Sequence, residues 1–306
     1  MSWENLLILW HCLQNALKIS LFGCPRVPGA NMTEIAQRIM RNNFQEGKLL
    51  YAGPAHYRGY MWVSDFATAI KGAETVLEKE QLSRALQYMI EESFRFGHVP
   101  TTFNSVQGFE APALRGDSLP MLLYCIWEYV AWSKDEAFLK KYHQKLQFLL
   151  TEYEKNSFGK DGLVSEKIVL DWEDSLSRPS STWNNIWALE TLTVAPKMGL
   201  RVNHSAPILE KKILAKRFKE NYFFDHAKTE SLSIDSALLA AYLGLFTVEV
   251  RKSTLEKIKQ DGLLEQYPIH ASAGDFSKKY LPFPIGLVSG NYHRSVIWPH
   301  LGFYVS

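Results

Sequence analysis

The sequence predicts an all-α protein, on three observations. Helical patterns come in pairs, the first apolar and rich in small residues, the second more charged. Strand-type alternation is scarce throughout. The loops before the apolar helices are long and carry the chain's unusual aromatic and charged residues, which places any site on one loop-bearing rim. The apolar helix of each pair is expected inside, its charged partner outside.

Taken in order, residues 3–19 read as an amphipathic helix, broken by Gly23, Pro25, Pro28 and Gly29 before a second pattern over 33–44. Residues 51–61 read as a Gly- and aromatic-rich loop, after which Ser64 is placed as the N-cap of a helix over 64–77. A helix over 79–96 should end at Gly97, and Ser118 with Pro120 should open another over 118–132. Its longer, more polar neighbour covers 134–156. Two further pairs follow, 182–198 with 207–222 and 233–246 with 252–260, and then a Gly/Pro-rich loop over 262–290 and a last apolar stretch from Val296.

Composition narrows the function. The net charge of +2 is scattered, so neither nucleic acid nor a membrane surface is expected as partner, and a neutral ligand fits better. Aromatic residues make up 13% of the chain, nine of them Trp, and sugar rings stack on such faces. Cys12, Cys24 and Cys125 have no metal or redox spacing, which points to a reducing compartment and a cytoplasmic location. The apolar run Leu6–Leu9 is too short to span a bilayer, and no export signal is evident. No cofactor is expected. His293 and His300 lack a carboxylate or Cys to complete a ligand set, so no metal is expected either.

The most informative stretch is Asp171-Trp172-Glu173-Asp174, continuing to Arg178-Pro179 with Trp183 beyond. Carboxylates held together beside an apolar wall raise one another's pKa, which is what a general acid working near neutral pH needs. The same residue types also cap helices and solvate loops. Trp62 and Trp298 read equally as core aromatics, Asp65 as a first-turn helix charge, and Arg115 with Asp117 as a surface ion pair.

Several loops together carry a resemblance. Tyr60-Met61-Trp62-Val63-Ser64-Asp65 resembles the aromatic-Trp-x-x-Asp motif of six-hairpin glycosidases, and Gly97-His98-Val99-Pro100 and Arg115-Gly116-Asp117-Ser118 look like the next two inner-helix loops of that clan. Trp172-Glu173-Asp174 is similar to the acid-bearing Trp-x-Asp of the amylo-alpha-1,6-glucosidase (glycogen debranching) group, which is akin to glucoamylase-like and neutral invertase-like enzymes. Tyr292-His293 with Trp298-Pro299 looks like its Tyr-His-x-x-x-x-Trp-Pro segment. The resemblance runs from about Thr33 onward.

It implies an (α/α)6 toroid of alternating inner and outer helices in a single domain over 1–306, with 1–30 an N-terminal extension, 31–306 the toroid and the last hairpin incomplete. It also implies a glycoside hydrolase, inverting, acting on a neutral alpha-linked glucoside or oligosaccharide. Asp174 becomes the general acid and Glu173 its rival. Trp62, Asp65, Arg115 and Asp117 surround the sugar, and Asp171, Trp172, Trp183, His293 and Trp298 complete the candidate sugar-binding set.

The family's general base is a Glu after the Trp-Pro segment, and here no Glu follows Gln266. Asp235, Glu110 or Asp275 would have to serve, or the chain is a catalytically impaired glycan-binding toroid or fragment. A homo-oligomer covering the open side of the toroid is a further expectation.

Overall fold

The computed structural model describes residues 31–45, 49–50, 60–104, 108–109, 115–172, 177–263 and 272–273. The expected helix over 3–19 and the apolar stretch from Val296 lie outside them. The chain divides into two compact units, the first of residues 1–110 and 125–145, the second of 111–124 and 146–306.

The first unit begins with α1 (Met32–Asn43), where the Asn31 side chain accepts the Glu34 N–H at 2.9 Å and so satisfies a helix-end donor. Strands β1 (Phe44–Gln45) and β2 (Leu49–Leu50) pair after it. β3 (Met61–Trp62) leads straight into α2 (Val63–Ala73), which buries Val63, Phe66, Ala67, Ile70 and Ala73 on one face. The cap of α2 is Trp62 rather than Ser64. Trp62 has the extended backbone that ends a strand, and Ser64 already lies in the helix, its carbonyl accepting the Thr68 hydroxyl. Helix α3 (Lys79–Phe96) has its expected bounds: Glu78 and Gln81 form a reciprocal capping box, and Gly97 ends it at φ 79°. β4 (Thr102–Phe103) pairs with β3 and with β5 (Gly108–Phe109). Helices α4 (Ser118–Ser133) and α5 (Glu136–Ser157) contribute residues 125–145.

In the second unit α6 (Thr182–Val194) is buried on nearly every side. It packs on α7 (Ala206–Arg217), which buries only Leu209, Ile213 and Arg217. After strands β6 (Phe218–Lys219), β7 (Tyr222–His226) and β8 (Thr229–Ser233), α8 (Ile234–Tyr242) is again buried throughout its first seven residues. It packs on α6 and on the charged α9 (Val248–Gln260). Buried helices thus alternate with exposed ones, as the pairing of apolar and charged patterns predicts.

The strands are the main departure from that pattern. The helix expected over 207–222 stops at Arg217, because Glu220 and Asn221 both take left-handed φ (53° and 67°) and turn β6 back onto β7. β7 then pairs with β8 across a bulge, and β8 with β9 (Ser272–Ala273). The hairpin over 222–233 escapes a hydrophobic-period reading because its buried positions include Asp225, His226 and Ser233. No helix among the described residues is long and apolar enough to cross a membrane.

Candidate active site

The loop carrying Asp171-Trp172 is held at both ends by hydrogen bonds within the second unit. On the outgoing side, Arg115 and Leu170 form a parallel bridge. The Leu170 carbonyl accepts both the Gly116 N–H (3.1 Å) and the Asn184 side-chain amide (3.0 Å). Gly116 allows this approach: a Cβ there would lie 2.6 Å from Asn184 Cγ and 2.8 Å from Ile168 Cγ2. On the returning side, Arg178 N–H donates to the Val169 carbonyl at 2.8 Å and Ser180 N–H to that of Ile168 at 3.1 Å. Ser181 then caps α6 by accepting the Asn184 N–H. Asn185 ties the Ser181 carbonyl (2.8 Å) to the Val164 N–H (2.9 Å).

Two aspartate–arginine sets stand behind this loop, all buried. Arg115 pairs with Asp117 through two hydrogen bonds, at 3.0 and 3.1 Å, and Asp117 also accepts the Trp183 indole N–H at 3.2 Å. The pair is therefore a core feature rather than the surface ion pair that residue type alone suggests. Arg178 donates from Nη1 to both oxygens of Asp171 (3.2 and 3.1 Å), and from Nη2 to Asp225 Oδ1 and to Asp235 Oδ2 (3.0 Å). Asp235 Oδ2 accepts the Trp172 indole N–H as well, at 2.9 Å. Its Oδ1 accepts the Ser233 hydroxyl (2.6 Å) and the Ser236 N–H (2.7 Å). The two rings meet at a tilt, centroids 5.7 Å apart, and Trp187 packs edge-on against Trp183.

Four carboxylates (Asp117, Asp171, Asp225, Asp235) thus face two guanidiniums (Arg115, Arg178), an excess of negative charge away from solvent. Burial pushes the Asp171 carboxyl up, against the pull of Arg178, and the charges of Asp117 and Asp235 add to the rise. Asp225 is pushed up to about 6, again by burial first, since Arg178 is shared among three acids. His226 is pushed down to about 4 by burial, with Arg178, Arg217 and Lys228 also disfavouring its cation. Its Nδ1 accepts the Lys228 N–H at 3.1 Å, so the neutral ring carries its proton on Nε2, 3.9 Å from Asp225 Oδ2.

Of the candidates named from sequence, the structure brings together Arg115, Asp117, Asp171, Trp172, Trp183 and Asp235. Trp62 is half-buried at the start of α2 and Asp65 is exposed in its first turn, both in the other unit. Glu173, Asp174, His293 and Trp298 lie outside the described residues, as do Glu110 and Asp275. Sequence reasoning passed over the roles of Arg178, Asp225, Asn184 and Asn185. The one available signal was an arginine closing the acidic stretch. Among the described residues no group of three or more His, Cys, Asp or Glu side chains has the geometry to hold a metal.

The model of the family described as Amylo-alpha-1,6-glucosidase matches residues 33–233. No curated protein sequence matches the chain. Among solved structures, a glycosidase variant in complex with glucose is similar at a TM-score of 0.62 with 14% identity, over 81% of this chain and 73% of that one. The GH78 family rhamnosidase of Bacillus sp. GL1 is similar at 0.55 with 17% identity, over 79% of this chain but 26% of that one. The rhamnosidase from Klebsiella oxytoca with rhamnose bound is similar at 0.55 with 12% identity, over 78% of this chain and 49% of that one. At such identities the likeness speaks to fold, and that fold is the helical (α/α)6 type expected from the loop motifs.

Proposed function

We propose that this chain, which belongs to the amylo-alpha-1,6-glucosidase family, is an inverting glycoside hydrolase acting on a neutral alpha-linked glucoside, with Asp174 as general acid and Glu173 as its rival. The observation that carries the reading is the buried Asp–Arg–Trp network at the root of the loop bearing these two residues. Each indole beside the loop is pinned by its N–H to an aspartate, and each aspartate is held by a guanidinium. Such pre-organisation holds the described ends of the loop in place before substrate arrives.

The excess negative charge behind the loop suits an acid that keeps its proton near neutral pH. In the proposed step Asp174 gives that proton to the glycosidic oxygen as the bond to the anomeric carbon breaks. A water on the opposite face loses its proton to a second carboxylate and adds to that carbon, releasing a sugar of inverted configuration. Alpha-linked glucose is supported by the family's description and by the glucose bound to a glycosidase of similar fold.

The base is the weaker part of the constellation. Asp235 has both oxygens committed to Trp172, Arg178, Ser233 and Ser236, which suits a fixed support better than a group that must seize a water. That commitment favours a second reading, a glycan-binding toroid without turnover. Incubating the chain with maltotriose and isomaltotriose and following the anomeric protons by NMR decides between them. Initial release of the β-anomer supports the inverting hydrolase, release of the α-anomer overturns inversion, and saturable binding with no product leaves the binding reading.

In an active chain, Asp174→Asn should lower kcat by a factor on the order of a hundred to ten thousand with KM little changed. α-Glucosyl fluoride, whose leaving group needs little protonation, should recover much of the rate. Full activity in that variant would move the acid role to Glu173.

The family match and the pairing of helices support one domain over 1–306. The buried, free Cys125, whose thiol burial pushes well up, suits the reducing cytoplasm. Self-association is part of the proposal, and light scattering on the purified chain tests it.

A further inference from the structure

Arg178 touches no reacting group in the reaction as proposed above, yet its guanidinium serves three of the site's carboxylates. It is buried with three carboxylates on one guanidinium, and one of them, Asp235, places the same Oδ2 between Arg178 Nη2 at 3.0 Å and the Trp172 indole N–H at 2.9 Å. Stability alone calls for no such arrangement, because a buried cation stabilises best with its charge matched, and here one cation serves three acids. The planar fork of arginine is also the one side chain able to bond several acids at fixed angles.

We propose that Arg178 is a positioning residue for this site. Through Asp235 it sets the plane of the Trp172 indole, and through Asp171 it sets the chain end from which Glu173 and Asp174 continue. Its single charge leaves that neighbourhood net negative. The groups facing it are Asp171, Asp225 and Asp235; beyond them lie Asp117 with its partner Arg115, neutral His226 with Arg217 and Lys228 near it, and the hydroxyls of Ser181 and Ser233, which bond Asp171 and Asp235. The kinetic part of the proposal rests on the hydrolase reading. The structural part does not.

The test uses the full chain and two substitutions. Arg178→Gln removes the charge and Arg178→Lys keeps it without the fork. With maltotriose, both should lower kcat roughly ten- to hundredfold at little change in KM, as expected when the loop carrying the proposed acid is no longer held at its root. α-Glucosyl fluoride should lose much less. The basic limb of kcat/KM against pH, which reports the acid, should move to higher pH in Arg178→Gln and stay in place in Arg178→Lys.

In 15N NMR spectra the Trp172 indole N–H, assigned by its loss in Trp172→Phe, should exchange with solvent faster in both variants. Equal losses on both substrates with an unmoved limb and unchanged indole exchange would reduce Arg178 to a structural residue and overturn the proposal. If neither variant folds, Trp172→Phe carries the kinetic test, since it cuts the link to Asp235 while leaving every charge in place. The same kcat loss with an unmoved limb supports the proposal, and parental kcat overturns it. If the parent chain cleaves neither probe, the hydrolase reading fails by itself, and indole exchange in Arg178→Lys and Asp235→Asn decides the clamp.

Discussion

Asp225 and His226 adjoin in sequence, and burial shifts their proton affinities in opposite directions. The folded Asp225 titrates at about 6 against about 4 for an ordinary Asp, so the folded state holds an extra proton between those values and loses stability as pH rises through them. The folded His226 titrates at about 4 against about 6.5 ordinarily, so the unfolded chain holds the extra proton and stability is gained over nearly the same window. Each effect is on the order of 3 kcal/mol, and they oppose. The parent's melting temperature should therefore change little from this pair between about pH 4 and 6. Asp225→Asn should melt lower as pH falls toward 4, exposing the histidine, and His226→Gln should melt lower as pH rises toward 6. Parallel melting profiles for all three proteins would refute the opposition.

At the scale of the element, the buried N-terminus of α6 organises the site. The Ser181 hydroxyl caps the helix, the Asn184 side chain donates to the Leu170 carbonyl, and the Asn185 side chain joins the Ser181 carbonyl to the Val164 N–H. Gly116→Ala should displace Asn184 from Leu170, since the added carbon would sit 2.6 Å from Asn184 Cγ. The expected cost is about 1–3 kcal/mol, with activity falling further than the lost stability explains, measured below the melting transition. Ser181→Ala removes only a cap, about 1 kcal/mol, and should leave kcat near parental where the protein is folded. Equal kcat in the two variants would detach Leu170 from the chemistry.

For the whole molecule, the single-domain proposal makes a thermal prediction. Calorimetry should show one transition whose calorimetric and van't Hoff enthalpies agree, despite the division of the chain into two compact units. Two resolved transitions, with Asp225→Asn shifting only one, would show that the units unfold separately. The similarity to glycosidases over 73% of a neighbouring chain speaks for one shared architecture, on which substrate choice is a matter of the loops.

The sequence by itself determined what depends on nearby residues. Helix α3 could be read to its last residue because Glu78, Gln81 and Gly97 carry its ends locally, and buried helices could be told from exposed ones because apolar periodicity is a local record of burial. The acidic loop with Trp172 was legible for the same reason: its residues are consecutive. Only the tertiary structure decided which charges share a guanidinium. Arg178 meets Asp225 and Asp235 at separations of 47 and 57 residues, and the hairpin that delivers Asp225 buries polar side chains where a periodicity rule looks for apolar ones. Composition shows how many aspartates and arginines a chain holds, but the energy of a buried charge depends on what lies a few ångströms away, and the folded chain sets that distance.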